Sequence, residues 1–270
     1  MKPRLDDLLS TAKEAARRSG EVLAERYQLQ RTIEFKGGID LVTDADKASE
    51  RELLGYLRSR FPTHSILSEE SGATGDDPIR WIVDPLDGTT NYSHRVAHFA
   101  VSVAVEGPEG LLAGAVYDPL RNEMFSAAKG RGAHLNGEPI KISEVDSIER
   151  ALLCTGFPYD VREKPEAPIG LFNRFVVRAQ GLRRFGSAAL DLAYVASGRF
   201  DGFFEFGLKA WDVAAGALLV SEAGGAISCI DGTPLNLFRG DVMATNRRIE
   251  PTLRKETAAF LAEIGWKPPG

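Results

Sequence analysis

The stretch Trp81-Ile82-Val83-Asp84-Pro85-Leu86-Asp87-Gly88-Thr89-Thr90-Asn91 decides how the rest of this 270-residue chain is read. Trp-Ile-Val is a triplet suited to a buried strand, and Asp84 stands at its carboxyl end. Pro85 fixes φ and offers no N–H, so the sheet ladder is expected to stop there and a tight turn to bring Asp87 back towards Asp84. Between the two acids, the Leu86 carbonyl is expected to lack a helical or sheet partner and to be free to point at a cation. Gly88, Thr89 and Thr90 can open a helix whose unpaired N–H groups would suit a phosphate. Two carboxylates, a carbonyl and a cluster of amides are the parts of a Mg²⁺–phosphate site.

Two further acidic segments accompany it. Ser68-Glu69-Glu70-Ser71 follows the apolar Ile66-Leu67, and Trp211-Asp212-Val213-Ala214-Ala215-Gly216 opens a helix. Singly, each has an ordinary structural reading: Asp-Pro and Asp-Gly are common turn dipeptides, and Asp212 occupies an N-cap position. Their joint occurrence favours chemistry. Oxygen-only donors suit a hard cation, and Mg²⁺ uses a few carboxylates together with phosphate oxygens and water. His94 and His98 have the i,i+4 spacing of a zinc pair but lack the adjacent glutamate, so they are read as structural or rim residues.

Composition excludes several classes. There are 33 basic and 38 acidic residues, a net charge of −5, and the basic pairs Arg17-Arg18, Arg183-Arg184 and Arg247-Arg248 form no continuous stripe. A general nucleic-acid binder would carry a basic surplus. With 43% hydrophobic and 26% charged residues the chain can build a sizeable core. Cys154 and Cys229 are too few for a disulfide framework; they lack the context of a phosphate-binding nucleophile and are read as buried. No apolar run approaches the roughly 20 residues that span a bilayer. The N-terminus turns acidic before any apolar segment, unlike a signal peptide. These features predict a cytoplasmic protein acting on small molecules, away from membranes.

Leu5, Leu9, Ala12, Ala16 and Leu23 form the apolar stripe of a first helix. A strand is expected over Arg31–Phe35, broken by Gly37 and Gly38. Thr43 and Asp46 resemble a capping box opening a second helix with Leu53, Leu57 and Phe61 on its apolar face, closed by Pro62. Strands are expected at Ser65–Leu67 and Trp81–Val83. His98–Val105, Leu111–Tyr117 and Glu123–Ala127, separated by turn residues, read as an antiparallel meander. Gly132–Leu135 should turn at Asn136-Gly137. Beyond about residue 145, helices are expected at Ser187–Ser197, Val213–Ala223 and Pro251–Ile264, and strands at Arg199–Phe206, Ala226–Ile230 and Asp241–Ala244. The expected organisation is an α+β half, 1–145, and a smaller mixed α/β half, 146–270, packed as one unit.

In order and spacing these segments resemble the inositol monophosphatase family. The two signatures of that family correspond to Trp81–Asn91 and Trp211–Gly225, with Asp40–Asp46 and Glu69-Glu70-Ser71 as further matches. Thr155–Tyr159 and Arg183–Leu190 are similar to its bacterial branch. The resemblance implies a layered α-β-α-β-α sandwich and a cluster of two to three Mg²⁺ ions. Glu69, Asp84 and the Leu86 carbonyl would hold the first ion; Asp84, Asp87 and Asp212 would hold the second. A weaker third would sit near Glu69, and Glu70 would support the site without being a ligand. It also implies that Asp46 and Thr89, with Glu69, activate the attacking water, although Asp46 equally fits its capping role.

The substrate would meet Leu86, Asp87, Gly88, Thr89, Arg183, Gly186, Ser187, Ala188, Glu205 and Asp212. Glu205 would accept hydrogen bonds from a polyol. Arg183 would reach the substrate or a subunit interface, or would simply be solvated; Lys36, flanked by Gly37-Gly38, is either part of a lid or a plain exposed lysine. The implied reaction is hydrolysis of inositol monophosphate by in-line attack of a cation-activated water, without a phosphoenzyme. Relatives using fructose 1,6-bisphosphate, 3′-phosphoadenosine phosphates, NADP or histidinol phosphate supply alternatives. A homodimer and sensitivity to lithium are further implications. A reading of a different class is a regulatory binding partner in transcription or RNA machinery.

Overall fold

The computed structural model describes residues 4–28, 33–35 and 41–269. Lys36, Gly37, Gly38 and Asp40, and the Arg31-Thr32 start of the first expected strand, lie outside the described residues.

Helix α1 (Leu5–Tyr27) comes first, then a small antiparallel pair, β1 (Ile33–Phe35) and β2 (Leu41–Thr43), and helix α2 (Asp44–Arg60). Strands β3 (Ser65–Ser68), β4 (Gly72–Thr74) and β5 (Arg80–Asp87) follow, then the short helix α3 (Thr89–Ser93). The meander is β6 (Ala100–Gly107), β7 (Gly110–Asp118) and β8 (Glu123–Ala128), continued by the hairpin β9 (Ala133–Leu135) and β10 (Glu138–Ile140). That hairpin turns at Asn136 and Gly137, with φ of 51° and 90°. The later elements are β11 (Leu152–Thr155), α4 (Glu166–Val176), β12 (Gly181–Arg183), α5 (Ala188–Ala196), β13 (Gly202–Phe206), α6 (Ala210–Glu222), β14 (Ala226–Ser228), β15 (Asp241–Thr245) and α7 (Glu250–Glu263).

Two sheets organise these elements. One has eight strands in the order β10-β9-β8-β7-β6-β5-β3-β4; the other has five in the order β12-β11-β13-β15-β14. Side-chain alternation builds the layers around them. On β6, Val101, Val103 and Val105 pack with α1 and α2, whereas Ala100 and Ala104 face α5 and α6. On β13, Phe203 faces α5 and α6, while Phe204 and Phe206 pack under α4 and α7. Helices α5 and α6 therefore lie between the sheets, giving an α-β-α-β-α sandwich. Strands covered on both faces read as continuous apolar runs. Close approach needs small residues: a Cβ on Gly216 of α6 would come within 2.5 Å of Leu192 on α5.

Several boundaries differ from expectation. Strand β5 does not end at Pro85. It continues to Asp87, which pairs with Ala100, and the register shift between Asp84 and Asp87 is a bulge. A proline is tolerated where the ladder is already interrupted. Helix α6 begins two residues before Asp212, so Asp212 is not its N-cap; it lies in the first turn and accepts the Lys209 N–H at 2.7 Å. β6 begins at Ala100 rather than His98, and β13 at Gly202 rather than Arg199. Strands β4, β11 and β12 and helix α4 carried too little periodicity to be read from sequence.

Candidate active site

Two elements aim three carboxylates at one point. Asp84 and Asp87 flank the bulge of β5, and the first turn of α6 supplies Asp212. Each offers an oxygen within 4.8 Å of the others. Asp84 and Asp87 are buried and Asp212 is half-buried. Glu69 follows β3, whose parallel pairing with β5 continues as the Glu69 N–H donates to the Val83 carbonyl at 3.3 Å. Its charge reaches both Asp84 and Asp212.

Burial and mutual repulsion dominate the electrostatics, opposed at Asp212 by the Lys209 charge. Burial raises Asp84 well above the usual carboxylate range, and Glu69, Asp87 and Asp212 add to the rise; the Leu86 N–H, 2.8 Å from Asp84 Oδ1, opposes it. Burial likewise raises Asp212, reinforced by Asp87. Asp87 is pushed up to about 6 by burial, against hydrogen bonds that favour its charge. Those bonds come from α5: Ser187 Oγ donates to Asp87 Oδ2 at 2.6 Å and the Ala189 N–H at 2.8 Å. Asp87 thus ties the β5 bulge to the start of α5. Ser187→Ala is expected to raise Asp87 further and weaken Mg²⁺ binding by roughly tenfold, the loss of one charge-assisted hydrogen bond. Titrating the thermal midpoint with Mg²⁺ measures it.

Thr89 Oγ1 lies 3.1 Å from Asp46 Oδ1 and 3.0 Å from the Leu86 carbonyl. The Leu86 carbonyl is consequently not unpartnered, as the sequence suggested, although a carbonyl retains a second lone pair. Asp46 is fully buried on α2. That helix supports the site through three side chains one turn apart, two of which the sequence did not single out. Ser49 Oγ donates to the Pro85 carbonyl at 2.7 Å, and Glu50 accepts the Ser71 N–H and hydroxyl at 3.1 Å together with the Ser68 hydroxyl. The turn carrying Glu69 and Glu70 is held by Glu50. The sequence signal was Asp46, Ser49 and Glu50 at i, i+3 and i+4, a polar face on a helix that packs inward.

Gly88 has φ of 97°, and a Cβ there would stand 3.1 Å from the His98 carbonyl and 3.3 Å from that of Gly186. Only glycine suits both the left-handed backbone and the contact. Asn91 Nδ2 donates to the carbonyls of His98 at 2.8 Å and Phe185 at 2.7 Å, joining the end of β5 to the segment before α5. Gly186, Ser187 and Ala188 therefore adjoin the carboxylates, with the Ser187 hydroxyl engaged by Asp87. Arg183 is not brought to the cluster: it is exposed on the edge strand β12, with Nη1 turned towards its own Leu182 carbonyl at 3.4 Å. The neighbouring Arg184 is the cation whose charge reaches Glu205.

Glu205, on β13, is nearly buried and raised well above its ordinary range by burial, then by Asp191, Asp212 and Asp87. The histidines do not form a pair: His94 is exposed, whereas His98 is buried against Phe185 and lowered to about 4 by that burial. Both cysteines are buried.

The donor set fits a hard divalent cation. Its atoms are all oxygens, they converge, and their raised affinity for protons is the same property that favours a metal charge among them.

A family model described as "Inositol monophosphatase family" matches residues 4–265. Among curated proteins, the chain is 44% identical over 246 residues to Nus factor SuhB of Salmonella typhimurium, covering 90% of this chain and 92% of that protein. Among solved structures, an inositol monophosphatase from Anabaena (Nostoc) superposes with a TM-score of 0.87 at 42% identity, over 97% of this chain and 99% of that one. An IMPase of Thermotoga maritima gives a TM-score of 0.86 at 33% identity, over 95% and 99%.

Proposed function

The chain belongs to the inositol monophosphatase family, and we propose that it hydrolyses phosphate monoesters of a polyol, inositol monophosphate first among them, in a Mg²⁺-dependent reaction. The observation that carries this reading is the convergence of Asp84, Asp87 and Asp212 within 4.8 Å beside the Thr89–Asp46 hydrogen bond. Asp84, Asp87, Asp212, Glu69 and the Leu86 carbonyl would hold two to three ions. Bound Mg²⁺ would supply Lewis acidity to the phosphoryl group and lower the pKa of a water. The chain's own contribution is positioning and proton transfer. Thr89 Oγ1 donates to Asp46 and can accept from the attacking water, so a proton leaving the water passes through Thr89 to Asp46. The Gly88 and Thr89 amides would face phosphoryl oxygens, and Glu205 would take a hydroxyl of the leaving alcohol. Gly186, Ser187 and Ala188 would border that alcohol. The same reading carries inhibition by lithium, a homodimer, a cytoplasmic location, and two halves, 1–145 and 146–270, acting as one unit.

A panel of inositol monophosphate, fructose 1,6-bisphosphate, 3′-phosphoadenosine 5′-phosphate and NADP, assayed with and without Mg²⁺, tests the proposal. Inositol monophosphate is expected to give the highest kcat/KM, with activity lost on chelation. Faster release from fructose bisphosphate or a nucleotide would replace the substrate named here, and chelator-insensitive hydrolysis would contradict the metal site.

The name of its SuhB relatives, Nus factor, favours a second reading, in which the chain serves as a binding partner of transcription or RNA machinery. Asp212→Asn separates the two. A cellular phenotype that survives the loss of hydrolysis would assign the principal role to binding.

A further inference from the structure

Glu69 sits on the turn between β3 and β4, where Ser68 pairs with Gly72 and the loop Glu69-Glu70-Ser71 closes a hairpin. Gly72 takes the left-handed backbone, φ 74°, that ends such a loop. β4 is 3 residues long, lies at the edge of the eight-stranded sheet and exposes Ala73 and Thr74. A short edge strand opens readily on its own. A carboxylate carried there needs an outside anchor before it can meet a cation in a fixed place.

One carboxyl oxygen supplies that anchor. Glu50 Oε1 accepts the Ser71 N–H and the Ser71 hydroxyl, both at 3.1 Å, and the Ser68 hydroxyl as well. It therefore grips the chain on either side of Glu69 and Glu70. An ionised carboxylate accepts without donating, which suits three donors aimed at one atom. Glu50 belongs to α2, whose Asp46 and Ser49 meet Thr89 Oγ1 and the Pro85 carbonyl. One rigid helix thereby holds the Glu69 turn in the same frame as the β5 bulge and the start of α3.

We propose that Glu50 is a positioning residue for Glu69: its clamp on Ser68 and Ser71 sets the affinity of the cation that Glu69 and Asp84 share, and leaves the cation among Asp84, Asp87 and Asp212 to its own ligands. The inference rests on the reading of Glu69 as a cation ligand. Hydrogen-bond partners that orient a ligand change metal affinity by roughly 10- to 100-fold when removed. Glu50 acts through the backbone of the turn, which places its effect near the lower end of that range.

Calorimetric titration of Mg²⁺ into the metal-stripped full chain tests it, in wild type, Glu50→Ala, Glu50→Gln, Glu69→Gln and the Glu50→Ala, Glu69→Gln double variant. Glu50→Ala is expected to raise the Kd of one ion by roughly tenfold. Glu50→Gln keeps an acceptor oxygen at the same reach and should recover most of that loss. In Glu69→Gln the ligand is already gone, so adding Glu50→Ala should change Mg²⁺ affinity by less than about twofold. The thermal midpoint of Glu50→Ala in chelator should move by only a few degrees, because the turn lies at an exposed edge.

Equal weakening with and without Glu69 would make Glu50 a general support of the fold and overturn the proposal. So would an unchanged Kd in Glu50→Ala, or a Gln variant no better than Ala. Should Glu50→Ala fail to fold, Ser71→Ala, at an exposed position, takes its place in the same cycle. A weakening of roughly threefold that vanishes beside Glu69→Gln supports the clamp, and one that persists there overturns it. A wild type that takes up no Mg²⁺ would overturn the metal reading and this inference with it. A wild type that binds Mg²⁺ while the Glu50 variants match it overturns this inference alone.

Discussion

Asp84→Asn is expected to lower kcat/KM for phosphate-ester hydrolysis by about three orders of magnitude, equivalent to about 4 kcal/mol of transition-state stabilisation. Asp84 sits at the bulge of β5, is 2% exposed, and faces Glu69, Asp87 and Asp212 together. An amide cannot replace its charge, so cation binding at both proposed positions weakens at once. Stability should respond in the opposite sense. In chelator, the wild type keeps several acids crowded and buried, and removing one is expected to stabilise the fold by about 1–3 kcal/mol. The thermal midpoint of the chelated variant should then exceed that of the chelated wild type by several degrees. Excess Mg²⁺ should reverse the order, because the wild type gains binding energy that the variant lacks. Calorimetry with and without Mg²⁺, alongside steady-state kinetics, measures both effects. A variant that stays active, or that is destabilised in chelator and Mg²⁺ alike, would refute the role assigned to Asp84.

The second large effect is the pH dependence of stability in chelator. Asp87 is raised to about 6 from an ordinary 3.8. Between those values the folded protein holds a proton that the unfolded chain has released, so stability decreases as pH rises through this window. The rise of about 2 pKa units corresponds to about 3 kcal/mol, present below pH 4 and lost above about pH 6. Asp84, Asp212 and Glu205 are shifted in the same direction by burial, which adds to the decline. Mg²⁺ binds the ionised form, so its stabilising effect should grow over the same range and be small at pH 4. Urea midpoints measured from pH 4 to 8, with chelator and with excess Mg²⁺, provide the test. A chelated protein whose stability rises steadily with pH would show that burial does not raise these acids.

The rest of the molecule explains why such a cluster is tolerated. Asp87 is held by the start of α5, Asp212 by the Lys209 N–H, Asp84 by the Leu86 N–H, and Glu69 rides on a turn clamped by Glu50. Each acid has a local partner that fixes its direction, while their common centre is left to a cation. Beneath them, Tyr92 packs against Tyr27 and Phe99, and its hydroxyl donates to the Leu23 carbonyl at 3.0 Å. That anchor holds the short helix α3, too short to be stable alone, against α1.

The sequence by itself determined the residue types and the local frames that present them. Trp81-Ile82-Val83 predicts a buried strand, Gly88 a backbone turn before a helix, and Asn136-Gly137 a tight hairpin, because each depends on a few neighbouring dihedrals and on side-chain period. The repeated acids at Glu69, Asp84, Asp87 and Asp212 are likewise a property of the chain, legible as oxygen-donor chemistry before any contact is known. Only the tertiary structure decided what those acids do to one another. Asp84 and Asp212 are far apart in sequence, and their proximity follows from α6 lying between two sheets. The same packing made Pro85 part of a bulge instead of a strand end, since the neighbouring β6 supplies a partner for Asp87 that local sequence cannot show. It set Glu50 and Ser49 beneath the site and turned Arg183 away from it. Such features depend on distance through space and on exclusion of water, quantities that the chain acquires only when its layers close.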